Sequence, residues 1–160
     1  MQHGQEALVI DLVKEVFDKY VAPGYAQEGI AEFYKFANVE SLSTRSKENH
    51  FTVLAKEGQQ ILGILEIRDL GHISMFFVRS GSQGKGVGKV LLKDAIKRIK
   101  KERGDLIALT VNSSPNAVAA YKKHGFIAKA GEQCINGIRF VPMVLVINTE
   151  VDSWIVIGRD

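Results

Sequence analysis

The sequence predicts an α/β protein in which helices cover both faces of a mixed sheet. Two helical stretches open the 160-residue chain, three apolar stretches of strand type follow, and strands then alternate with two further helical stretches. Glycine or proline stands between many of these stretches, as expected at turns. The length and the 46% hydrophobic composition suffice for one core, so we expect a single domain over residues 1–160.

The composition argues against several classes of protein. No run of about 18 apolar residues is present, as a transmembrane helix would require, and the first residues lack a signal-peptide pattern. Cys134 is the only cysteine, so no internal disulfide framework is expected, and nothing suggests a metal cluster. The net charge of +3 suits an anionic cofactor but does not demand nucleic acid. We therefore expect a cytoplasmic protein without metal, membrane or nucleic-acid partners.

The first part of the chain is predicted to be helical. Apolar residues recur at helical spacing over residues 6–20 and again over residues 27–37. Ala22-Pro23-Gly24 separates the two helices because proline and glycine end helical segments. Residues 44–49 are polar and are predicted to form a loop.

After residue 50 the spacing of the apolar residues changes from that of helices to that of strands. Strands are predicted over residues 51–55, 61–67 and 73–78, with turns near Gly58 and at residues 68–71. A long amphipathic helix follows over residues 87–103 and ends at Gly104.

The last part alternates strands with one short helix. Ser114 and Pro115 provide an N-cap and a first helical residue, and the helix reaches His124 before Gly125 ends it. Strands are predicted over residues 106–111, 126–130 and 138–147, with a hairpin turn at Asn136-Gly137. Residues 151–157 could add a final strand or dock on a partner.

A glycine-rich loop joins the strand at residues 73–78 to the long helix, with glycine at positions 81, 84, 86 and 88. Glycines let the backbone approach a ligand closely and turn its N–H groups toward it. The following helix contributes unpaired N–H donors and the positive end of its dipole. This combination predicts a phosphate or pyrophosphate site.

The spacing separates three families of phosphate loop. The P-loop pattern fails because Gln83 replaces its first glycine and Val90 replaces its serine or threonine. The dinucleotide pattern Gly-x-Gly-x-x-Gly fails from both Gly84 and Gly86. The pattern Gln-x-x-Gly-x-Gly fits Gln83, Gly86 and Gly88, and it resembles the acyl-CoA loop of the GNAT N-acetyltransferase superfamily.

A second stretch, residues 111–126, strengthens this resemblance. It is similar to the family's second motif, in which a strand is followed by a short helix with alanine and tyrosine and then by Gly-Phe. The family carries an asparagine where this chain has Ser114, and a serine can still cap the helix. The resemblance extends over roughly residues 51–146.

The resemblance implies the GNAT fold, with a mostly antiparallel central sheet, and acetyl-CoA as co-substrate. In the family the strands on either side of the loop splay apart, and pantetheine fills the gap. The family usually opens with a strand, whereas only residues 1–5 precede the first helix here. The residues that this resemblance assigns to CoA are Phe77, Val78, Arg79, Gln83, Gly84, Lys85, Gly86, Val87, Gly88, Lys89, Asn112, Ser114, Asn116 and Tyr121.

Acetyl transfer to an amine needs a base for the ammonium and a donor for the leaving thiolate. His72 occupies the position of the glutamate that serves as base in the histone-acetyltransferase branch. It either acts as the base, directly or through water, or hydrogen-bonds locally at the start of a buried strand. Glu66 is the second candidate base or a solvent-facing strand residue. Tyr121 matches the family's general acid, and Cys134, outside both motifs, is expected to be an ordinary buried or loop thiol.

The resemblance implies direct transfer of acetyl to a primary amine, on a small molecule or a protein, in a ternary complex. The alternative is a non-catalytic acyl-CoA sensor or interaction module of the same fold. A lysine row at Lys89, Lys93, Lys97 and Lys101 could mark a nucleic-acid stripe, but such rows are typical of solvated helix faces. A homodimer is also compatible with the sequence.

Overall fold

The structure, a computed structural model, describes residues 1–104 and 108–147. None of the helices in these two segments is long and apolar enough to cross a membrane. The helices are α1 (Glu6–Tyr20), α2 (Gln27–Phe36), α3 (Val39–Arg45), α4 (Val87–Arg103) and α5 (Val118–Lys123). The strands are β1 (His50–Glu57), β2 (Gln60–Arg68), β3 (His72–Val78), β4 (Ala108–Ser113), β5 (Ile127–Ala128), β6 (Gln133–Ile135) and β7 (Ile138–Val146).

The strands form one seven-stranded sheet in the order β1-β2-β3-β4-β7-β5, and β6 pairs with β7 beside this path. Neighbouring strands run antiparallel except β3 and β4, which are parallel. The predicted mixed and mostly antiparallel sheet is therefore confirmed.

Helices cover both faces of the sheet, and each face has its own apolar cluster. One cluster joins α1 and α3 to β2 and β3, and the other joins α4 and α5 to β2, β4 and β7. Gly63 on β2 lets α4 pack closely, because a Cβ there would lie 3.0 Å from Leu91 Cδ1 and 3.1 Å from Val87 Cγ1. Tight packing against β2 thus fixes where α4 begins, beside the glycine-rich loop.

The helix α3 was not predicted, and the expected loop over residues 44–49 is wrong in its first two residues. Asn38 starts this helix, since its side chain accepts a hydrogen bond from the Ser41 N–H at 2.9 Å. Such an N-cap is a signal that the sequence does contain. The helix is only seven residues long, so its apolar periodicity is too short to recognise.

The C-terminal hairpin was predicted correctly at its turn and incorrectly in its first strand. Asn136 and Gly137 have φ values of 52° and 77°, as a tight hairpin turn requires. The strand that enters the turn is β6, whereas the predicted strand over residues 126–130 shrinks to the two residues of β5. The prediction for residues 151–157 lies outside the described residues, as does the start of the strand predicted over residues 106–111.

Residues 1–5 form no strand before α1. The backbone N–H of Gln5 donates to the carbonyl of Gln2 at 3.2 Å, and α1 follows directly at Glu6.

Glu66 on β2 is fully buried, so the expectation of a solvent-facing residue is wrong. Its carboxylate accepts two hydrogen bonds from Arg45 of α3, at 2.6 Å from Nε and 3.1 Å from Nη2. Arg45 also donates to the carbonyl of Phe36 at 2.6 Å. This bidentate pair fastens α3 to the sheet, and both carboxylate oxygens are already engaged.

Replacing Glu66 by leucine leaves a buried guanidinium without its carboxylate. We expect Glu66→Leu to lower the free energy of unfolding by about 3–5 kcal/mol, as measured by chemical denaturation with circular dichroism. The double variant Arg45→Met/Glu66→Leu removes both charges and should recover most of the loss. A double variant as unstable as the single one would contradict this account of the pair.

Candidate functional site

The site is built around a gap between the parallel strands β3 and β4. These strands pair only at His72 with Thr110 and at Ile73 with Val111. Beyond these pairs β3 continues along β2 as far as Val78, and β4 continues along β7 as far as Ser113. The two strands thus separate toward their C-terminal ends and leave a V-shaped opening, as the family resemblance implied.

A bulge at Ser74 lies where the two strands part. Ile67 of β2 pairs with Ile73 and its neighbour Glu66 pairs with Met75, so Ser74 is the extra residue. Ile73 packs in the cluster below α4, and Met75 packs in the cluster below α1. Bulges bend a strand and increase its twist, which turns β3 away from β4. No residue pattern in the sequence indicates this bulge.

The glycine-rich loop closes the wide end of the opening. Gly84 and Gly86 adopt φ values of 71° and 83°, a conformation that favours glycine. The helical bonding of α4 begins with the Val90 N–H, which donates to the Gly86 carbonyl at 3.1 Å. The backbone N–H groups from Gly84 to Lys89 have no acceptor within residues 1–104 and 108–147. Free donors at a helix N-terminus form an anion site.

Gln83 attaches this loop to the end of β3. Its Nε2 donates to the Val78 carbonyl at 2.9 Å. The Arg79 backbone N–H donates to the Leu62 carbonyl at 2.8 Å, and its side chain pairs with Glu15 of α1. The Arg79 guanidinium therefore faces α1. Several contacts to CoA in this region stay predictions; they are those of Phe77, Val78, Arg79, Lys85, Val87 and Lys89.

The second motif forms the other side of the opening. Asn112 is exposed on β4, and Ser114 precedes a turn of 3-10 helix, Pro115–Ala117, that leads into α5. The Ser114 side chain makes no capping hydrogen bond, so its predicted capping by the hydroxyl is wrong. Its carbonyl accepts instead from the Ala117 N–H at 3.0 Å. Asn116 is exposed in this turn.

Tyr121 of α5 packs against β3 through its ring. The ring contacts Phe76 at 5.9 Å and Phe126 at 5.2 Å between centroids, both edge to face. Tyr121 is 8% exposed, and its hydroxyl has no hydrogen-bond partner among the described residues. Burial raises its pKa well above the ordinary tyrosine value. The phenol therefore stays neutral and keeps a proton to donate.

His72 lies at the narrow end of the opening. Its Nδ1 is 2.8 Å from Thr110 Oγ1, and that hydroxyl donates a long hydrogen bond of 3.5 Å to the Gly71 carbonyl. Thr110 then accepts from Nδ1–H, which leaves the lone pair on Nε2. Burial, with the nearby Arg68 charge, lowers the pKa of His72. A neutral imidazole with a free Nε2 can accept a proton at neutral pH.

Three features of this region were not predicted from the sequence. His124, treated as a helix-end residue, is half-buried against Phe76 and the first turn of α4. Cys134, expected to be buried or in a loop, is exposed on β6. No short-range pattern in the sequence indicates either location.

The third missed feature is a contact between the segment that connects α1 to α2 and the hairpin of β6 and β7. The Tyr25 hydroxyl donates to the Arg139 carbonyl at 2.9 Å, and Arg139 Nη1 donates to the Gly24 carbonyl at 2.9 Å. A Cβ on Gly29 would lie 2.1 Å from the Gly137 carbonyl oxygen. The two backbones therefore touch, and the segment between α1 and α2 packs with the hairpin as one unit.

The hydrogen bond to Thr110 leads to a test of the His72 tautomer. We expect His72 to be neutral at pH 7, with its proton on Nδ1, and to have a pKa below the ordinary histidine value because of its burial. Nitrogen-15 NMR of the imidazole nitrogens measures both properties. Thr110→Val removes the acceptor of Nδ1–H, so the proton should redistribute toward Nε2. A midpoint above 7, or a proton on Nε2 in the unaltered protein, would contradict the arrangement.

Comparisons with known proteins agree with this geometry. The family model described as "Acetyltransferase (GNAT) domain" matches residues 21–147. No curated protein matches the chain.

Solved structures share the fold at low sequence identity. A GCN5-related N-acetyltransferase from Rhodopseudomonas palustris is 23% identical, with a TM-score of 0.76 and 92% of each chain covered. The PaiA N-acetyltransferase from Thermoplasma acidophilum, solved with coenzyme A, is 20% identical, with a TM-score of 0.72 over 92% of this chain and 96% of that one. An aminoglycoside 6'-N-acetyltransferase, also with coenzyme A, is 12% identical, with a TM-score of 0.65 over 94% and 95%. The chain thus belongs to the GNAT acetyltransferase family.

Proposed function

We propose that this protein is an N-acetyltransferase that moves the acetyl group of acetyl-CoA directly to a primary amine in a ternary complex. The observation that carries the proposal is the opening between β3 and β4, with a row of unpaired N–H groups at its wide end. A linear thioester with a pyrophosphate at one end suits this shape and these donors. Two of the solved relatives contain coenzyme A, which supports the same co-substrate here.

The glycine-rich loop is proposed to bind the pyrophosphate of CoA, and strands β3 and β4 are proposed to bind its pantetheine arm. The N–H groups from Gly84 to Lys89 provide donors and the positive end of the α4 dipole for the pyrophosphate. Lys85 and Lys89 are exposed beside these donors and can pair with phosphate oxygens. Val78 on β3 and Asn112 on β4 flank the opening, where backbone groups can bond the amides of pantetheine.

His72 is the proposed base. An alkylammonium with a pKa near ~10 has no lone pair, so the acceptor must lose a proton before its nitrogen attacks. The free Nε2 accepts that proton, directly or through a water, while Thr110 holds the ring by Nδ1. Because burial keeps the imidazole neutral, this base is available at pH 7.

Tyr121 is the proposed donor to the leaving thiolate. Attack forms the C–N bond and breaks the C–S bond; the new amide nitrogen releases its remaining extra proton to water, and the leaving thiolate, held by the Tyr121 hydroxyl, takes up one proton from water. A free thiol titrates near ~8.5, below a buried phenol, so Tyr121 stabilises the developing thiolate by hydrogen bonding more than by complete proton transfer. A backbone N–H near Val78 can stabilise the carbonyl oxygen as charge develops.

The identity of the amine that accepts the acetyl group is tested with a panel of candidate amines. Calorimetry measures the binding of acetyl-CoA, and release of free CoA reports turnover on amino acids, polyamines, aminoglycosides and lysine peptides. Aminoglycosides belong in the panel because one solved relative acetylates them by name. Binding with turnover on any amine supports the proposal. Binding without turnover across the panel would favour the sensor alternative, and failure to bind would reject both.

The role of Tyr121 is tested by removing only its hydroxyl. Tyr121→Phe should lower kcat by about 10²-fold, as expected when one donor to a developing charge is lost, while the dissociation constant of CoA changes little. Steady-state kinetics and calorimetry separate these two effects. Phe126→Leu, which alters the ring contact and keeps the hydroxyl, is the matched control. An unchanged kcat in Tyr121→Phe would contradict the donor role.

The base is tested through the pH dependence of turnover. His72→Ala should lower kcat/KM by about 10²-fold at pH 7 and by less at high pH, where the free amine no longer needs a base. In the unaltered protein kcat/KM should fall as the pH drops through the lowered pKa of His72. The pH profile of kcat/KM measures both. If His72→Ala lowered kcat/KM by the same factor at every pH, the result would indicate a structural role for His72.

A further inference from the structure

His124 lies at the C-terminal end of α5, next to the first turn of α4. Its ring contacts the Phe76 ring at 5.9 Å between centroids. Gly88, in that first turn, faces the imidazole: a Cβ at position 88 would lie 3.1 Å from His124 Nε2 and 3.3 Å from Cε1. The imidazole edge that carries Nε2 therefore lies against the start of α4.

The absence of a side chain at Gly88 is what admits the ring. A methyl group there would also lie 3.2 Å from Phe76 Cζ, so the two rings enclose the space that a Cβ would need. Alanine at this position would have to displace one of them. The first turn of α4 and His124 are thus matched in shape.

The polar groups at this place have no partners in the described part of the chain. Neither nitrogen of His124 forms a hydrogen bond there, and burial alone shifts its pKa. The neighbouring N–H groups of Val87, Gly88 and Lys89 also lack acceptors. With Nε2 protonated, the imidazole adds a side-chain donor beside these backbone donors. A group of donors without acceptors fits a ligand that presents oxygen atoms, such as a phosphate.

We propose that His124 is an additional CoA-binding residue, whose Nε2–H donates to a pyrophosphate oxygen beside the first turn of α4. This inference rests on the proposed binding of CoA by the loop. It adds a side chain of α5 to a site that is otherwise formed by backbone donors and flexible lysines.

The charge of His124 then depends on the ligand. Burial lowers its pKa in the free protein, so the ring is neutral near pH 7. The titratable groups around it are Tyr121 on α5, which stays neutral, and the cations Lys85, Lys89, Lys122 and Lys123 on the adjoining turns, all exposed. A bound pyrophosphate favours the imidazolium, so binding raises the pKa and CoA affinity increases as the pH falls below 7.

The experiment compares the dissociation constant of CoA at pH 6 and pH 8 in matched variants. His124→Gln keeps a donor near the position of Nε2 and should bind at pH 8 within a few-fold of the unaltered protein, but without its increase in affinity at pH 6. His124→Leu should bind about 10-fold more weakly, as expected when a hydrogen bond to a charged group is lost. His3→Gln, which removes an exposed imidazole elsewhere, is the control and should match the unaltered protein.

Two further measurements keep the test independent of variant stability. The C–H signals of His124 in proton NMR report its titration with and without CoA, and CoA should raise the midpoint. Pantetheine lacks the pyrophosphate, so His124→Leu should leave its affinity unchanged.

The outcomes separate this inference from the function on which it rests. If the unaltered protein does not bind CoA, the proposed function fails and this inference with it. If it binds CoA, but the titration of His124 does not move and His124→Leu binds normally, only the role of His124 is overturned. A loss of pantetheine affinity in His124→Leu would overturn the assignment to the pyrophosphate.

Discussion

The structure depends on the short parallel pairing between β3 and β4. Two residue pairs hold these strands together at His72 and Ile73, and the bulge at Ser74 turns β3 away immediately afterwards. The opening is stable because β2 and β7 pair with the outer sides of the two strands, and because both faces are packed by helices. Backbone groups along the opening are left for a ligand or water to satisfy.

Burial sets the chemical state of the groups around this opening. It keeps the Tyr121 phenol neutral and able to donate, and it keeps the His72 imidazole neutral and able to accept. Both groups are therefore in the protonation states that their proposed roles require at neutral pH, and neither ring forms an ion pair within residues 1–104 and 108–147. The proposed anion site at the other end would use backbone donors in a loop where Gly84 and Gly86 have positive φ values.

The sequence was most informative where function requires an unusual local pattern. The loop at Gln83–Gly88 and the Asn136-Gly137 turn were predicted because glycine spacing reflects backbone geometry directly. The bulge at Ser74 could not be predicted because it depends on the register in which β3 pairs with β2. The Gly29–Gly137 contact and the packing of His124 on Gly88 could not be predicted, since each joins segments far apart in the chain. Burial of Glu66 was missed for the same reason, because its partner Arg45 lies in an unrecognised helix.

The central claim is that the backbone N–H groups at the start of α4 hold the phosphates of CoA. Titration of nitrogen-15-labelled protein with CoA, followed by amide NMR, tests it most directly. The account predicts that the largest shifts fall on Gly84 to Lys89, with smaller shifts along β3 and β4 and none at exposed Leu8 on α1. Saturable binding that leaves the amides of Gly84 to Lys89 unshifted would contradict it.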